Sequence, residues 1–328
     1  MEYRRLGKSG LQVSALALGT WSTIGERLHL NEAKEVLKFA FEHGFNFFDT
    51  ADVYNNGQSE ISLGHLLNHF NWPREEYVIS SKVFFGLNNS QKPNTYGLSR
   101  KHIYEACDAS LKRLDLEYID LYFCHRPDPN TPIVETVQAM SDLVRTGKIL
   151  YWGTSEWTVP QLLEAYNITA NNGYLIPPTS EQSQYNLFNR HKVEQELTPL
   201  HYSHGLGITV WSPLSSGLLA GRYNQGVPLN SRLPAQGYEE SRKEVFGENE
   251  EQRVLVVNKL TNYAEKELNI SIAELALAWC IRAPCVSSAI IGASNPQHII
   301  QNYKSLLFAK QLNEDVLKQI DDIIMLKI

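Results

Sequence analysis

The chain has 328 residues, of which 43% are hydrophobic and 20% are charged, and its formal net charge is −6. This length can support a large buried core, whereas a mildly acidic chain without a long basic run is a poor candidate for binding nucleic acid. No apolar stretch reaches the length of a bilayer span, so direct membrane insertion is not expected. The N-terminus lacks the apolar region of a signal peptide, and the four cysteines form no Cys-x-x-Cys pair. The lack of a Cys-x-x-Cys pair argues against a zinc ribbon or a redox motif, and the lack of a signal peptide predicts a cytoplasmic protein.

Short apolar runs alternate with longer amphipathic segments along the whole chain. Most runs are rich in β-branched or aromatic residues, and several end in Gly, Ser, Thr or Asp, which is typical of buried parallel strands. Eight successive strand–helix units predict the α/β class and a (β/α)8 TIM barrel, with residues 1–328 forming a single domain. The predicted strands are residues 16–19, 45–48, 77–83, 119–124, 149–153, 179–184, 208–212 and 288–292.

Helix signals lie between the predicted strands. Residues 31–43 repeat apolar side chains at the spacing of an amphipathic helix. Ser99 is a predicted N-cap, and Thr131 followed by Pro132 predicts the start of another helix.

Three further segments lie outside the repeat. Residues 2–13 predict a β-hairpin that caps one end of the barrel, and residues 313–325 predict an extra C-terminal helix. Residues 214–250 are polar and rich in Gly, Pro, Ser and Arg, which predicts a long loop after strand 7. A loop of that length is a functional lid or clasp, or is disordered, and its position places it on the face where active sites of such barrels lie.

Four ionisable residues lie at or just after the ends of three consecutive predicted strands: Asp49, Tyr54, Lys82 and His125. In a barrel of this type they are expected to converge at one rim. The set suits carbonyl reduction, because hydride attack leaves an alkoxide that needs a proton from a nearby acid. A lysine ammonium beside the tyrosine favours the phenolate and lowers its pKa, an aspartate holds the lysine, and a histidine N–H orients the carbonyl oxygen.

Each of these residues also has a simpler interpretation when it is taken alone. Asp49 suits a helix cap or a turn, Tyr54 surface packing, and His125 a structural role. Lys82 suits an ordinary salt bridge or a Schiff base of the kind that barrel aldolases form. A metal site on Asp49 and His125 has no third ligand at a convincing spacing, so no metal is expected. No Gly-x-Gly-x-x-Gly follows a strand, so a Rossmann-type dinucleotide site is not indicated.

At these residues the chain resembles the aldo-keto reductases, and within them most closely the branch of the voltage-gated potassium channel β-subunits. The resemblance covers nearly the whole chain, in order. The similar segments are ALALGTW at 15–21, GFNFFDTADVYNNGQSE at 44–60, SSKVFFG at 80–86, GLSRKHI at 97–103, RLDLEYIDLYFCHRPDPNTPIVETVQAM at 113–140, YWGTSEW at 151–157, SEQSQYN at 180–186, TVWSPLSSGLLAGRY at 209–223 and AIIGASNPQHIIQN at 289–302.

The resemblance implies a catalytic tetrad of Asp49, Tyr54, Lys82 and His125, with Tyr54 as the proton donor and NADPH as the cofactor. A small carbonyl substrate would be bound by Trp21, Tyr54, Phe85 and His125. The implied cofactor contacts include Asp49, to which the resemblance gives no particular part of the cofactor, Thr20 and Trp21 at the nicotinamide end, Ser155 and Gln182 on its carboxamide, and Trp211 stacked on its ring. They continue with Ser212, Leu214, Ser216, Gly217 and Arg222 along the pyrophosphate, and Arg232, Gly292, Ser294, His298, Gln301 and Asn302 around the adenosine and its 2′-phosphate.

Elementary electrostatics supports an anionic ligand independently. Arg222 and Arg232 belong to the long polar segment, and a helix predicted to begin near Asn295 would offer its N-terminus to a phosphate. These features favour NADPH over NADH.

Some positions depart from the nearest pattern. The channel β-subunits carry Asn where this chain has His125, which favours catalysis over channel regulation. His298 and Gln301 replace the more common Gln and Glu, and Arg27 and Glu156 occupy cofactor-side positions that vary. The alternative function is an NADPH-binding redox sensor or regulatory subunit with slow turnover. Against this alternative, the barrel is expected to begin close to the first residue, so a long N-terminal blocking peptide is not expected. The channel-like branch suggests a homotetramer, whereas many other reductases of this superfamily are monomers.

Overall fold

Eight parallel strands close into a barrel in the computed structural model, which describes residues 1–90, 92–170, 172–226, 239–247 and 249–325. Their order around the barrel follows the chain, with the last strand pairing with the first. The predicted (β/α)8 TIM barrel is therefore confirmed. The barrel strands are β3 (Leu16–Gly19), β4 (Phe47–Asp49), β5 (Val78–Val83), β6 (Ile119–Cys124), β7 (Ile149–Ser155), β8 (Ser180–Gln184), β9 (Gly207–Trp211) and β10 (Val286–Ile291).

An N-terminal hairpin precedes the barrel, as predicted. Its strands, β1 (Tyr3–Arg5) and β2 (Gln12–Ser14), pair antiparallel. Leu6 and Val13 belong to the same buried apolar cluster as Phe47 and Val78 from the amino-terminal ends of barrel strands. The hairpin thus closes that end of the barrel, opposite to the strand ends that carry the predicted site.

The turn of this hairpin needs a glycine. Gly7 has a φ of +57°, and a Cβ there would overlap the carbonyl oxygen of Gly205. The close approach lets the Lys8 N–H donate to that same carbonyl at 2.9 Å. A side chain at position 7 would therefore push the hairpin away from the segment leading into β9.

Helices follow the strands, and several begin or end as their sequence predicts. Ser99 caps its helix by accepting a hydrogen bond from the His102 N–H at 3.3 Å. The cap predicted at Thr131 is wrong, because the helix begins at Ile133 with Pro132 as its N-cap residue, whose side chain accepts no hydrogen bond there. The helices are α1 (Leu30–Glu42), α2 (Gln58–Phe70), α3 (Arg100–Leu114), α4 (Ile133–Arg145), α5 (Val159–Ala170), α6 (Thr198–His204), α7 (Glu239–Phe246), α8 (Glu250–Glu267), α9 (Ile272–Ile281), α10 (Pro296–Phe308) and α11 (Glu314–Ile324).

The segment after β9 is more regular than a single long loop. The long connection predicted over residues 214–250 contains a 3-10 stretch at Ser215–Ala220 and the helix α7. Residues 227–238 and 248 of this segment lie outside the described residues. The extra C-terminal helix is confirmed as α11, which Asn313 caps by accepting from the Val316 N–H at 2.9 Å.

Contacts within the chain group it into two compact units. The first contains residues 1–183, 191–211 and 285–299, and includes the hairpin and the barrel strands apart from the last residue of β8. The second contains residues 184–190, 212–284 and 300–328. The single domain predicted for the chain stays a prediction. No helix of the described residues has both the length and the apolar character that crossing a membrane requires.

Candidate active site

The carboxyl ends of three neighbouring strands carry the four residues of the predicted tetrad. Asp49 is the last residue of β4, Lys82 lies one residue before the end of β5, and His125 directly follows β6. Tyr54 begins a short 3-10 stretch that follows β4. Parallel pairing of β4 with β5 and of β5 with β6 brings these ends to one rim. The structure therefore brings together the residues that the sequence placed on separate strands.

Asp49 and Lys82 form a buried ion pair. The Lys82 Nζ lies 2.6 Å from Asp49 Oδ2, and the lysine side chain is fully buried. The same ammonium donates to the Thr50 carbonyl at 2.8 Å and to the Tyr54 hydroxyl at 3.1 Å. All three of its N–H donors thus have acceptors, which is the condition under which a buried charge is tolerated.

The other oxygen of Asp49 is held equally firmly. Asp49 Oδ1 accepts hydrogen bonds from the Ser80 hydroxyl at 2.7 Å and from Gln182 Nε2 at 3.0 Å. These two contacts fix the carboxylate and, through it, the position of the lysine. Sequence reasoning missed Ser80 and Thr50 as members of the site. Thr50 directly follows Asp49 in the chain, and Ser80 pairs with Asp49 between β4 and β5.

The ionisation states of Tyr54 and Lys82 follow from burial and from their mutual contact. Burial lowers the pKa of Lys82, but attraction to Asp49 and Tyr54 outweighs it and raises the pKa above its usual 10.5. Burial raises the pKa of Tyr54 above 10, and this effect exceeds the lowering that Lys82 causes. The expected net decrease of the Tyr54 pKa is therefore wrong. Tyr54 holds its proton at neutral pH beside a charged lysine.

His125 is neutral at physiological pH. Burial, and then the positive charges of Lys82 and Arg126, lower its pKa well below 6.5. Its Nδ1 is buried and has no hydrogen-bond partner within the described part of the chain. The imidazole meets the Tyr54 ring edge-on, with 5.8 Å between ring centroids, and the Phe85 ring at 5.3 Å. Three of the four predicted substrate-pocket residues are therefore neighbours.

The turn that carries Tyr54 is shaped by two asparagines that sequence reasoning did not single out. Asn55 and Asn56 have φ values of 45° and 52°, a left-handed conformation that asparagine adopts more readily than most residues. Asn55 Nδ2 donates to the Gly25 carbonyl, and Asn56 Oδ1 accepts from the Asn88 N–H at 2.9 Å. The Asn-Asn-Gly sequence after Tyr54 is the signal that could have identified this turn.

Several predicted cofactor residues of the first unit lie at the same rim. Ser155 and Trp211 are the last residues of β7 and β9, and Gln182 lies near the end of β8. Thr20, directly after β3, donates to the Thr50 hydroxyl at 2.9 Å, whereas the neighbouring Trp21 is 48% exposed. The structure thus brings these five residues to the strand ends that carry the tetrad.

The remaining predicted cofactor residues of the first unit follow β10. Gly292 is the first residue after the strand, and the His298 Nδ1 lies 3.4 Å from the Ser294 backbone nitrogen and 3.3 Å from its hydroxyl. Asn295 Oδ1 accepts from the His298 N–H at 3.1 Å at the start of α10. The helix start predicted near Asn295 is confirmed.

The second unit contains most of the other predicted cofactor residues. Ser212, Ser216 and Gly217 have positive φ values of 53°, 51° and 97°, so this stretch is sharply turned. Asn302 is buried on α10, and Arg232 lies outside the described residues. The other predicted residues of this unit are Leu214, Arg222 and Gln301.

A metal centre has no support in the described ranges, where no group of three or more His, Cys, Asp or Glu side chains is placed to hold an ion. The absence of a metal stays a prediction.

Comparison with known proteins assigns the chain to a family. The Aldo/keto reductase family model matches residues 15–325. A protein from Arabidopsis thaliana named "Probable voltage-gated potassium channel subunit beta" is 44% identical over 328 residues, which cover 100% of this chain and 98% of that protein. A protein of the same name from Oryza sativa subsp. japonica has the same identity and coverage. A "Putative voltage-gated potassium channel subunit beta" from Schizosaccharomyces pombe is 44% identical over 323 residues, covering 98% and 93% of the two chains. The chain belongs to the aldo/keto reductase family.

Proposed function

We propose that this protein is an NADPH-dependent oxidoreductase that reduces aldehydes and ketones to alcohols. The observation that carries the proposal is the position of Lys82, whose ammonium contacts Asp49 and the Tyr54 hydroxyl at once. A protonated tyrosine held by a buried ion pair can donate one proton to a substrate atom at a fixed position.

Each residue of the tetrad has a separate task in this proposal. NADPH, when bound, would supply the hydride that reduces the carbonyl carbon. Tyr54 donates its proton to the carbonyl oxygen, and Lys82 stabilises the phenolate that remains. Asp49 keeps the lysine charged and in place, and the neutral His125 orients the carbonyl oxygen through its ring N–H.

The residues at the rim fit the nicotinamide end of such a cofactor. Ser155, Gln182 and Trp211 supply a hydroxyl, an amide and an indole at the ends of three successive strands. This set suits a planar ring that carries a carboxamide, because the ring can stack while its amide forms hydrogen bonds. Gln182 already donates from Nε2 to Asp49, so its carbonyl oxygen is the atom that we assign to the carboxamide.

We assign the phosphates of NADPH to the residues that the family resemblance implies. A 2′-phosphate is recognised through charge-assisted hydrogen bonds, which arginine provides well. Substitution Arg232→Ala is therefore expected to weaken NADPH binding and leave NADH binding almost unchanged. Equal affinity of the unmodified protein for both cofactors would contradict this assignment.

The substrate is proposed to enter beside exposed aromatic side chains. Trp21 and Phe85 are 48% and 37% exposed, and Phe85 contacts His125 edge-on. Aromatic walls around a polar centre favour aldehydes with aromatic or other apolar groups.

The decisive experiment is NADPH oxidation measured with a panel of aldehydes for the unmodified protein and for Tyr54→Phe. The unmodified protein is expected to turn over, while Tyr54→Phe loses about 10²- to 10⁴-fold in rate, which is the typical contribution of a general acid. Retained NADPH binding by the variant shows that the loss is chemical. Equal rates for the two proteins would exclude Tyr54 as the donor.

A regulatory function is the second candidate, and the names of the relatives favour it. A redox-sensing subunit would bind NADPH tightly and show almost no steady-state oxidation with any aldehyde. Assembly as a homotetramer and a cytoplasmic location belong to both candidates. Light scattering on the purified protein tests the tetramer, since a monomer would give the mass of one chain.

A Schiff-base aldolase is disfavoured by the state of Lys82. Its raised pKa and its three acceptors keep the amine protonated, whereas imine formation needs a neutral lysine. Borohydride trapping in the presence of an aldehyde is expected to leave the protein unmodified.

A further inference from the structure

The indole of Trp211 is held by a carboxylate outside the tetrad. Trp211 Nε1 donates a hydrogen bond of 2.9 Å to Glu156 Oε1. Both residues lie at strand ends, since Trp211 ends β9 and Glu156 directly follows β7. An indole has one polar atom, so a single hydrogen bond at that atom fixes how the ring is turned about its side-chain bonds.

Glu156 is itself fixed by its backbone. Its φ is +59°, in the left-handed region that residues other than glycine and asparagine rarely adopt. Its N–H donates to the Gln182 carbonyl at 3.3 Å, which ties this turn to β8. Unfavourable backbone conformations of this kind persist where the surrounding contacts require them, and they concentrate at functional sites.

Lys192 holds Glu156 from the other side and joins it to Glu181. Lys192 Nζ lies 2.7 Å from Glu156 Oε2 and 3.5 Å from Glu181 Oε1. Glu181 is fully buried and accepts from the Thr154 hydroxyl at 2.5 Å and from the Trp157 N–H at 3.1 Å. The chain of contacts from Trp211 through Glu156 and Lys192 thus ends at Glu181, a buried residue of the barrel strand β8.

We propose that Glu156, held by Lys192, is a positioning residue that fixes the plane of the Trp211 indole for the nicotinamide ring of the bound cofactor. The inference rests on the proposed function, because it needs a cofactor ring against Trp211. Glu156 contacts the Trp211 indole and the Lys192 ammonium. Its effect reaches the chemistry through the stacked ring, and that ring's geometry decides how well the hydride donor faces the substrate.

Two substitutions at Glu156 separate the carboxylate from the backbone. Glu156→Gly removes the side chain and is compatible with the positive φ, so it adds no backbone strain. Glu156→Gln retains an oxygen that can accept from the indole. A third variant, Lys192→Met, leaves Glu156 in place without its cation. Glu164→Gln, on the exposed face of α5, is the matched control for loss of one carboxylate.

The first readout is the order of the indole in the protein without cofactor. The near-ultraviolet circular dichroism of the unmodified protein minus that of Trp211→Phe isolates the band of Trp211. We expect Glu156→Gly to lose most of this band, Glu156→Gln to retain most of it, and Lys192→Met to reduce it. Glu164→Gln should match the unmodified protein.

The second readout is the dissociation constant of NADPH, measured by fluorescence. We expect about a tenfold weakening in Glu156→Gly, corresponding to roughly 1.4 kcal/mol, with partial rescue in Glu156→Gln and equal melting temperatures. An unchanged Trp211 band and unchanged affinity in Glu156→Gly would overturn the inference while the proposed function stands. Failure of the unmodified protein to bind NADPH would overturn both.

Discussion

Lys82 donates a hydrogen bond of 3.1 Å to the hydroxyl of Tyr54, and this contact orients the phenol group. Because the phenol oxygen accepts from the ammonium, its own O–H is free to point away from the lysine and towards a substrate. Asp49, 2.6 Å from the same ammonium, keeps the lysine protonated. The lysine therefore acts on the tyrosine as a fixed positive charge.

The first prediction concerns the stability of the Asp49–Lys82 pair. Substitution Lys82→Met leaves the Asp49 carboxylate buried without a cation, and it is expected to lower the free energy of unfolding by about 3–5 kcal/mol. Asp49→Asn should have a similar effect. The double variant should lose much less than the sum of the two, because neither charge is then left alone. Urea unfolding of the four proteins measures this coupling.

An exposed ion pair provides the control for that cycle. Lys38 and Glu42 lie 3.6 Å apart on α1, with both side chains more than half exposed. Lys38→Met should change the unfolding free energy by about 0.5 kcal/mol or less. Additive losses at Asp49 and Lys82 would mean that the buried pair is not coupled.

The second prediction concerns the pH dependence of turnover. The pKa of His125 is well below 6.5 and that of Tyr54 is above 10, so neither group titrates between about pH 7 and 9. The value of kcat/KM is therefore expected to be level over this interval and to fall only at more alkaline pH, as Tyr54 loses its proton. Initial rates in overlapping buffers give this profile. An ionisation near pH 6.5 that disappears in His125→Asn would contradict a neutral histidine.

The third prediction follows from the buried carboxyl of Glu181. Burial raises its pKa from 4.5 to about 8, against the opposing effect of Lys192. At a pH between 4.5 and about 8, the folded protein therefore keeps Glu181 protonated, whereas the unfolded chain has released that proton. Stability is expected to fall as the pH rises through this window, by up to about 1.4 kcal/mol per pH unit from this group, and to level off above it.

Substitution Glu181→Gln tests that linkage, because an amide resembles the protonated acid and does not titrate. The unfolding free energy of the variant minus that of the unmodified protein should increase from pH 5 to pH 8, whereas Glu164→Gln should leave the difference flat. A constant difference for Glu181→Gln would show that the carboxyl is ionised throughout this range.

The barrel was predictable because its strands are buried on both faces and read as continuous apolar runs, whereas its helices are buried on one face and read as amphipathic segments. Strand ends shifted by one or two residues, as at β4, where the strand begins at Phe47 and includes Asp49. The order of the elements and the meeting of Asp49, Lys82 and His125 at one rim followed from parallel topology alone. Nothing in their spacing along the chain, however, indicates which donors satisfy Asp49 Oδ1.

The failures have a common physical origin in competition between interactions. Thr131 has the chemistry of a helix cap, but the helix begins one residue later than a Thr131 cap requires, and the Thr131 hydroxyl donates to Asp128. For Tyr54, the sequence reveals the lysine but not the depth of burial, and burial decides the direction of the pKa change. The partnership of Trp211 with Glu156 links residues 55 positions apart and had no local signal.

The fourth prediction concerns the packing of the helix that follows the Tyr54 turn. Gly64 on α2 faces the end of α3, where a Cβ would come within 2.8 Å of Leu114 Cα and closer still to its carbonyl. Backbone cannot yield as a flexible side chain can, so Gly64→Ala is expected to lower the unfolding free energy by about 1–3 kcal/mol. Because α2 begins four residues after Tyr54, a displaced helix should also reduce kcat. Gly10→Ala, with no atom within 4 Å of the added carbon, is the matched control and should change neither quantity. Urea unfolding and turnover of the two variants check this, and an unaltered kcat in a destabilised Gly64→Ala protein would show that the Tyr54 turn is held by its own asparagine contacts and not by α2.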